Sequence, residues 1–464
     1  MHHQKAMNHL CVARAHGPYC TLGALLLALA LVCASLLANA GTALAAPTAK
    51  ASPLPTGTAL KDTIFGTDPA LDWPAPAAPR QERRIAIQGR DVPDVFWYAA
   101  SMAYTVALQD HPAPLMFVVA GTGARHDSDK AAYLTDLFYS MGYHVAALSS
   151  PTHFHFLVSI SRHAAPGWAP LDVDDLYRVM GFVREDLSRE LEDELGPGAI
   201  TGFDLSGYSL GGMHAAFLAR KDEGQPEGER FGFGRVLLIN PAVDLFASAL
   251  RFDSWLEPES LEGEDAQELF EEFIERVSEF YVGADFERFD SDFLYRLKDG
   301  FPLTDAQMRA LIAATFRMSS SAMIFASDVC LRAGYLVDPE RTLGPADSLT
   351  PYLSASMRIP FRDYVAQYLL PYARHLRPGL KDDEFFAAVR LDSMAGFLRE
   401  HANVVVAGSA NDPILGPDEV EFLRRTFGPD RLFLAEDGGH MGNMKNGRFV
   451  LAMQRLLRTA GEAR

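Results

Sequence analysis

Ser209 stands in Gly207-Tyr208-Ser209-Leu210-Gly211, two residues from a glycine on either side. A serine hydroxyl is a poor nucleophile at neutral pH; it attacks a carbonyl when a base takes its proton and a carboxylate orients that base. On a strand–turn–helix scaffold the three occur in the order Ser, Asp or Glu, His. Beyond residue 400 the chain has two histidines: His401 precedes a strand-like run, and His440, in LAEDGGHMGN, follows one. Ligands of open α/β sheets collect at the carboxyl ends of strands, which selects His440. For the acid, Asp412 in VVVAGSANDPIL follows the penultimate strand and lies between Ser209 and His440; Asp244 in INPAVDL, one strand earlier, is the alternative. Asp437 lies only three residues before His440, and Asp204 reads as a polar group at a strand end. Charge developing on a carbonyl oxygen needs N–H donors. Leu210, at the start of the helix behind the serine, offers one, and Thr122 or Gly123 in AGTGARHDS offers the other.

In a chain with 36 glycines the five-residue pattern alone is not diagnostic, so the elements around it decide. RRIAIQG and DVFWYAAS read as early strands, and PLMFVVAGTG as a strand buried on both faces. Asp127-Ser128 can cap a helix through KAAYLTDLFYSMG; YHVAALSS, AITGFDLSG and GRVLLINPAV are further strands, with amphipathic helices between them. NVVVAGSAND and RLFLAED are the last strands, each followed by a helix. This alternation implies a mostly parallel sheet with helices on both faces. It stops for residues 246–400, where DAQELFEEFIERVSEFYVG and DYVAQYLLPYARHL have helical spacing, so a mainly helical block is inserted between two parts of the core, 83–245 and 401–464.

Residues 1–46 are expected to be an export signal: after Arg14 no charge appears until Lys50, and the apolar run ends at the small-residue site Ala43-Leu44-Ala45. An uncleaved membrane anchor is the alternative, and would be the chain's only membrane contact. Residues 47–82, rich in Pro, Ala and Thr, read as a poorly ordered leader. Cys11, Cys20 and Cys33 leave with the signal, so Cys330 would remain alone as a buried, inert thiol. The 48% hydrophobic content is globular, and a net charge of −18 argues against nucleic acid as a partner. No cofactor or metal is expected. His126 stands where a dinucleotide-binding loop needs its third glycine, and His153 and His155 lack a third ligand. His214 reads as a packed helix residue, and the acids from Glu257 to Glu275 as a solvated face.

The elbow GYSLGG, acid loop GSANDPI, histidine loop GGHMGN and oxyanion loop AGTG together resemble the α/β-hydrolase superfamily. The resemblance implies an eight-stranded, mostly parallel sheet with a cap after the sixth strand, where the long insertion falls. The expected activity is that of an exported serine hydrolase cleaving a carboxylic ester or related acyl substrate, small or lipid-like, through an acyl-enzyme. A serine peptidase, an acyltransferase and a non-catalytic binding protein are the alternatives.

Overall fold

LMFVV, VAAL, VLLI and VVVA are runs of consecutive apolar residues, and each becomes a central strand because both its faces are covered. The computed structural model describes residues 56–261, 295, 298 and 302–458. Its strands are β1 (Gln81–Ile85), β2 (Met102–Ala107), β3 (Ala113–Val119), β4 (His144–Leu148), β5 (Ile200–Tyr208), β6 (Val236–Ile239), β7 (Val404–Ser409) and β8 (Leu432–Ala435). They form one sheet in the order β1-β2-β4-β3-β5-β6-β7-β8. β2 runs antiparallel to both its neighbours, and every pairing from β4 to β8 is parallel.

Alternate residues of each central strand feed opposite cores. Leu115, Phe117, Val119, Leu238 and Val406 pack on one face. Met116, Val118, Leu237, Ile239 and Val405 pack on the other, against α2 (Asp129–Ser140) and the C-terminal helix Gly447–Leu457. Helices α3 (Ala169–Leu195) and α4 (Leu210–Glu223) cover the first face.

Two expectations need correction. DVFWYAAS is a 3-10 helix over Asp94–Ala99, and the strand begins at Met102. Val95 and Phe96 are buried together while Trp97 and Tyr98 are exposed together, which a strand's alternation cannot produce. The described part of the 47–82 leader is ordered: helix α1 (Thr58–Phe65) buries Leu60 and Phe65, and Trp73 N–H donates to Lys445 O at 2.7 Å. The expected export signal of 1–46, the start of the leader at 47–55 and the helix expected in 265–283 lie outside the described residues.

The described part of the insertion is largely helical, beginning with α5 (Leu245–Trp255) after β6 and including α6 (Asp305–Leu331) and shorter helices to Glu400. Thr304 and Gln307 form a reciprocal cap at the start of α6. The buried Arg317 guanidinium pairs with Asp253 Oδ1 at 2.6 Å and fastens α6 to α5. By length and composition α6 could cross a bilayer, but 67% of its apolar window is buried inside the protein.

Candidate active site

β5 ends at Tyr208 and α4 starts at Leu210, so Ser209 occupies the turn between them with φ 55 and ψ −123. That backbone is unfavourable for any residue with a Cβ; Ser209 is held there by its N–H bond to Ile239 O at 2.9 Å and by the helix behind it. The flanking glycines are required by contact: a Cβ on Gly207 would lie 2.1 Å from Gly211 O, and one on Gly211 would lie 2.2 Å from Val119 O. The turn can therefore form only where both side chains are absent.

Ser209 Oγ lies 2.9 Å from His440 Nε2, and His440 Nδ1 lies 2.8 Å from Asp412 Oδ2. In the tautomer this chain requires, Nδ1–H donates to the carboxylate and Nε2 accepts from the serine hydroxyl. Asp412 is 3% exposed; its Oδ1 accepts Ile414 N–H at 3.0 Å, and its Oδ2 also accepts Asn240 Nδ2–H at 2.9 Å. Asn240, at the end of β6, is the site residue that sequence reasoning missed. Nothing local in the sequence marks it, because the carboxylate it binds is 172 residues away.

The other candidates fall elsewhere. Asp244 caps α5, accepting Ala247 N–H at 2.9 Å, and lies 3.5 Å from Arg390; it makes no hydrogen bond to His440. Burial raises its carboxyl above the usual range. Asp204 is spent on Arg235 N–H and Tyr143 OH, and His401 on Phe397 O. The Asp437 carbonyl accepts from Asn443.

Of the expected oxyanion donors, Gly123 is already committed, its N–H donating to Thr152 Oγ1 at 2.8 Å. Among the described residues no hydrogen bond takes the N–H of Thr122 or of Leu210. Both residues line the same cavity as Ser209 and His440. This cavity, about 370 Å³, is walled by Leu245, Ala249 and Phe252 of α5, by Ile312 and Phe316 of α6, and by Ile414. A second cavity of about 540 Å³, between residues 87–94 and the end of α6, includes none of Ser209, Asp412 and His440.

His153 caps a short helix over Phe154–Ser159, and burial lowers its imidazole to about 3. Among the described residues no group of three His, Cys, Asp or Glu side chains could hold a metal. Burial pushes the Cys330 thiol up to about 12, too high for thiolate chemistry at neutral pH. His214 is fully buried, with Nε2 3.4 Å from Asp172 Oδ2. Glu257 pairs with Arg362 at 2.8 Å, and the acids from residue 262 onward lie outside the described residues.

No protein-family model matches the chain, and no curated protein sequence does. Among solved structures it is similar to a membrane phospholipase A described as a bacterial virulence factor (14% identity, 82% of this chain and 86% of that one, TM-score 0.38). A thioesterase domain from the curacin biosynthetic pathway shares 11% identity over 82% of this chain and 100% of that one, with TM-score 0.37. A probable hydrolytic enzyme of Pseudomonas aeruginosa shares 15% over 82% and 95%, with TM-score 0.41. Likeness this distant says nothing of substrate. The strand order, the elbow between β5 and α4 and the helical insertion between β6 and β7 are those of the α/β-hydrolase fold, and this chain has that fold.

Proposed function

We propose that the protein is a serine hydrolase that cleaves a carboxylic ester or related acyl compound with an apolar acyl group, through an acyl-enzyme. The observation that carries this reading is the hydrogen-bonded series Ser209–His440–Asp412 opening into an apolar cavity. Ser209 Oγ attacks the carbonyl as its proton passes to His440 Nε2; Asp412 stabilises the imidazolium and keeps Nδ1 protonated. The N–H groups of Leu210 and Thr122 receive the oxyanion. His440 then protonates the leaving group, and water activated by the same imidazole releases the acid.

The cavity favours this over an aminopeptidase. Among the described residues, the part of its lining from α5 and α6, Phe252, Ile312, Thr315, Phe316 and Ser319 included, bears no carboxylate to bind a substrate amino terminus, and the acid that the cavity does contain, Asp129, pairs with Lys445 at 3.2 Å. Export is part of the proposal and rests on residues 1–46; intact residues 1–45 on the mature protein would disprove cleavage of the signal.

A fluorophosphonate probe and a panel of esters, thioesters and aminoacyl anilides test the reading. Wild type should be labelled and Ser209→Ala should not, with ester or thioester turnover lost in the variant. A folded wild type that takes no label would sink the proposal.

A further inference from the structure

The loop carrying His440 is gripped by a segment from the far end of the chain. His440 N–H donates to Thr63 Oγ1 at 2.9 Å across 377 residues of sequence, and Gly438 N–H donates to Asp62 Oδ2 at 3.0 Å. Gly442 O accepts from both the N–H and the Oγ1 of Thr67, at 3.1 and 3.3 Å. Thr63 Oγ1 in turn donates to Ala59 O at 2.6 Å, so α1 itself aims the lone pair that receives His440.

The fit is close. A Cβ on Gly439 would lie 2.3 Å from Ala59 O, and one on Gly442 would lie 2.0 Å from Asp62 O. Gly439 and Met441, on either side of His440, both have positive φ, at 53 and 68. A loop in that conformation needs outside contacts to hold it. The outer side of the grip is anchored to the cap: Gly57 N–H donates to Asp305 Oδ1 at 3.1 Å, and Ile64 packs with Leu311, Ala314 and Met357.

We propose that α1 is a clamp for the base, in which Thr63 acting on the His440 main chain, and Asp62 acting on Gly438, hold the imidazole at proton-transfer distance from Ser209. The proposal rests on the assignment of Ser209 and His440 as nucleophile and base. Thr63 is then a positioning residue, acting through His440. Misplacing a reacting group by about 1 Å costs on the order of a hundredfold in rate.

The test uses the full chain with Thr63→Val, Thr63→Ser and Asp62→Ala. Thr63→Val keeps shape but leaves His440 N–H without an acceptor, so kcat should fall about tenfold to a hundredfold with KM within about twofold. Thr63→Ser, which restores the hydroxyl, should bring kcat back to within roughly threefold of wild type. Amide exchange across residues 438–442 should quicken in Thr63→Val and Asp62→Ala, while residues 204–220 stay as protected as in wild type. Wild-type kcat and loop exchange in Thr63→Val would overturn the clamp, as would a kcat loss that Thr63→Ser fails to recover. If wild-type Ser209 takes no fluorophosphonate, the hydrolase assignment fails by itself and loop exchange still decides the clamp.

Discussion

At Ser209 the main chain sits at φ 55, a conformation that costs on the order of 1–3 kcal/mol and persists because β6 and α4 over-determine it. The adjoining residues divide their work by which atom each one occupies. Asp412 orients His440 Nδ1, so Asp412→Asn should lower kcat by about a thousandfold to ten-thousandfold by favouring the wrong tautomer. Asp244→Ala should leave kcat within about twofold of wild type and remove about 1 kcal/mol of stability in denaturant melts, the worth of a helix N-cap. The pair of kinetic and melting measurements separates the two carboxylates that the sequence left as alternatives. Ser209, Asp412 and His440 could be read from the chain because a strand, a turn and a helix announce themselves locally. Asn240 could not, because its role is defined by a partner 172 residues away.

The elements show where local patterning is sufficient and where it fails. Central strands were legible because burial on both faces leaves unbroken apolar runs. The segment between β1 and β2 was not: VFWYA is as aromatic and β-branched as any strand, and only the paired burial of Val95 and Phe96 against exposed Trp97 and Tyr98 shows its helical turn. In the inserted block, α6 presents Ile312, Thr315, Phe316 and Ser319 to the cavity at helical spacing, and Phe316 meets Phe252 at a ring separation of 4.9 Å. That aromatic contact closes part of the cavity wall. Phe316→Ala should shift preference toward longer acyl chains, with the kcat/KM ratio of long to short esters rising about tenfold, the usual scale for added space in an apolar pocket. A chain-length series of p-nitrophenyl esters measures it, and an unchanged ratio would place the acyl group elsewhere.

For the whole molecule, the unexpected result is that the boundary of the working protein lies upstream of the sheet. Composition alone made residues 47–82 look like a leader, because Pro, Ala and Thr lack the periodicity that marks a packed element. The order of the described part, 56–82, comes from contacts with residues 438–446 and with the cap, which no local window contains. A chain starting at Thr56 should keep wild-type turnover, whereas one starting at Trp73 should lose most of it; parallel kinetics and thermal melts would reveal a contrary result. The site also has a calendar. Synthesis delivers Thr63 first, then Ser209, and His440 last, 377 residues after Thr63, which at cellular elongation rates is a wait of roughly 20 to 75 seconds. A growing or interrupted chain therefore holds Ser209 without His440, so under the proposed assignment the hydrolytic chemistry cannot start before the residues around 440 have been made and have met Thr63.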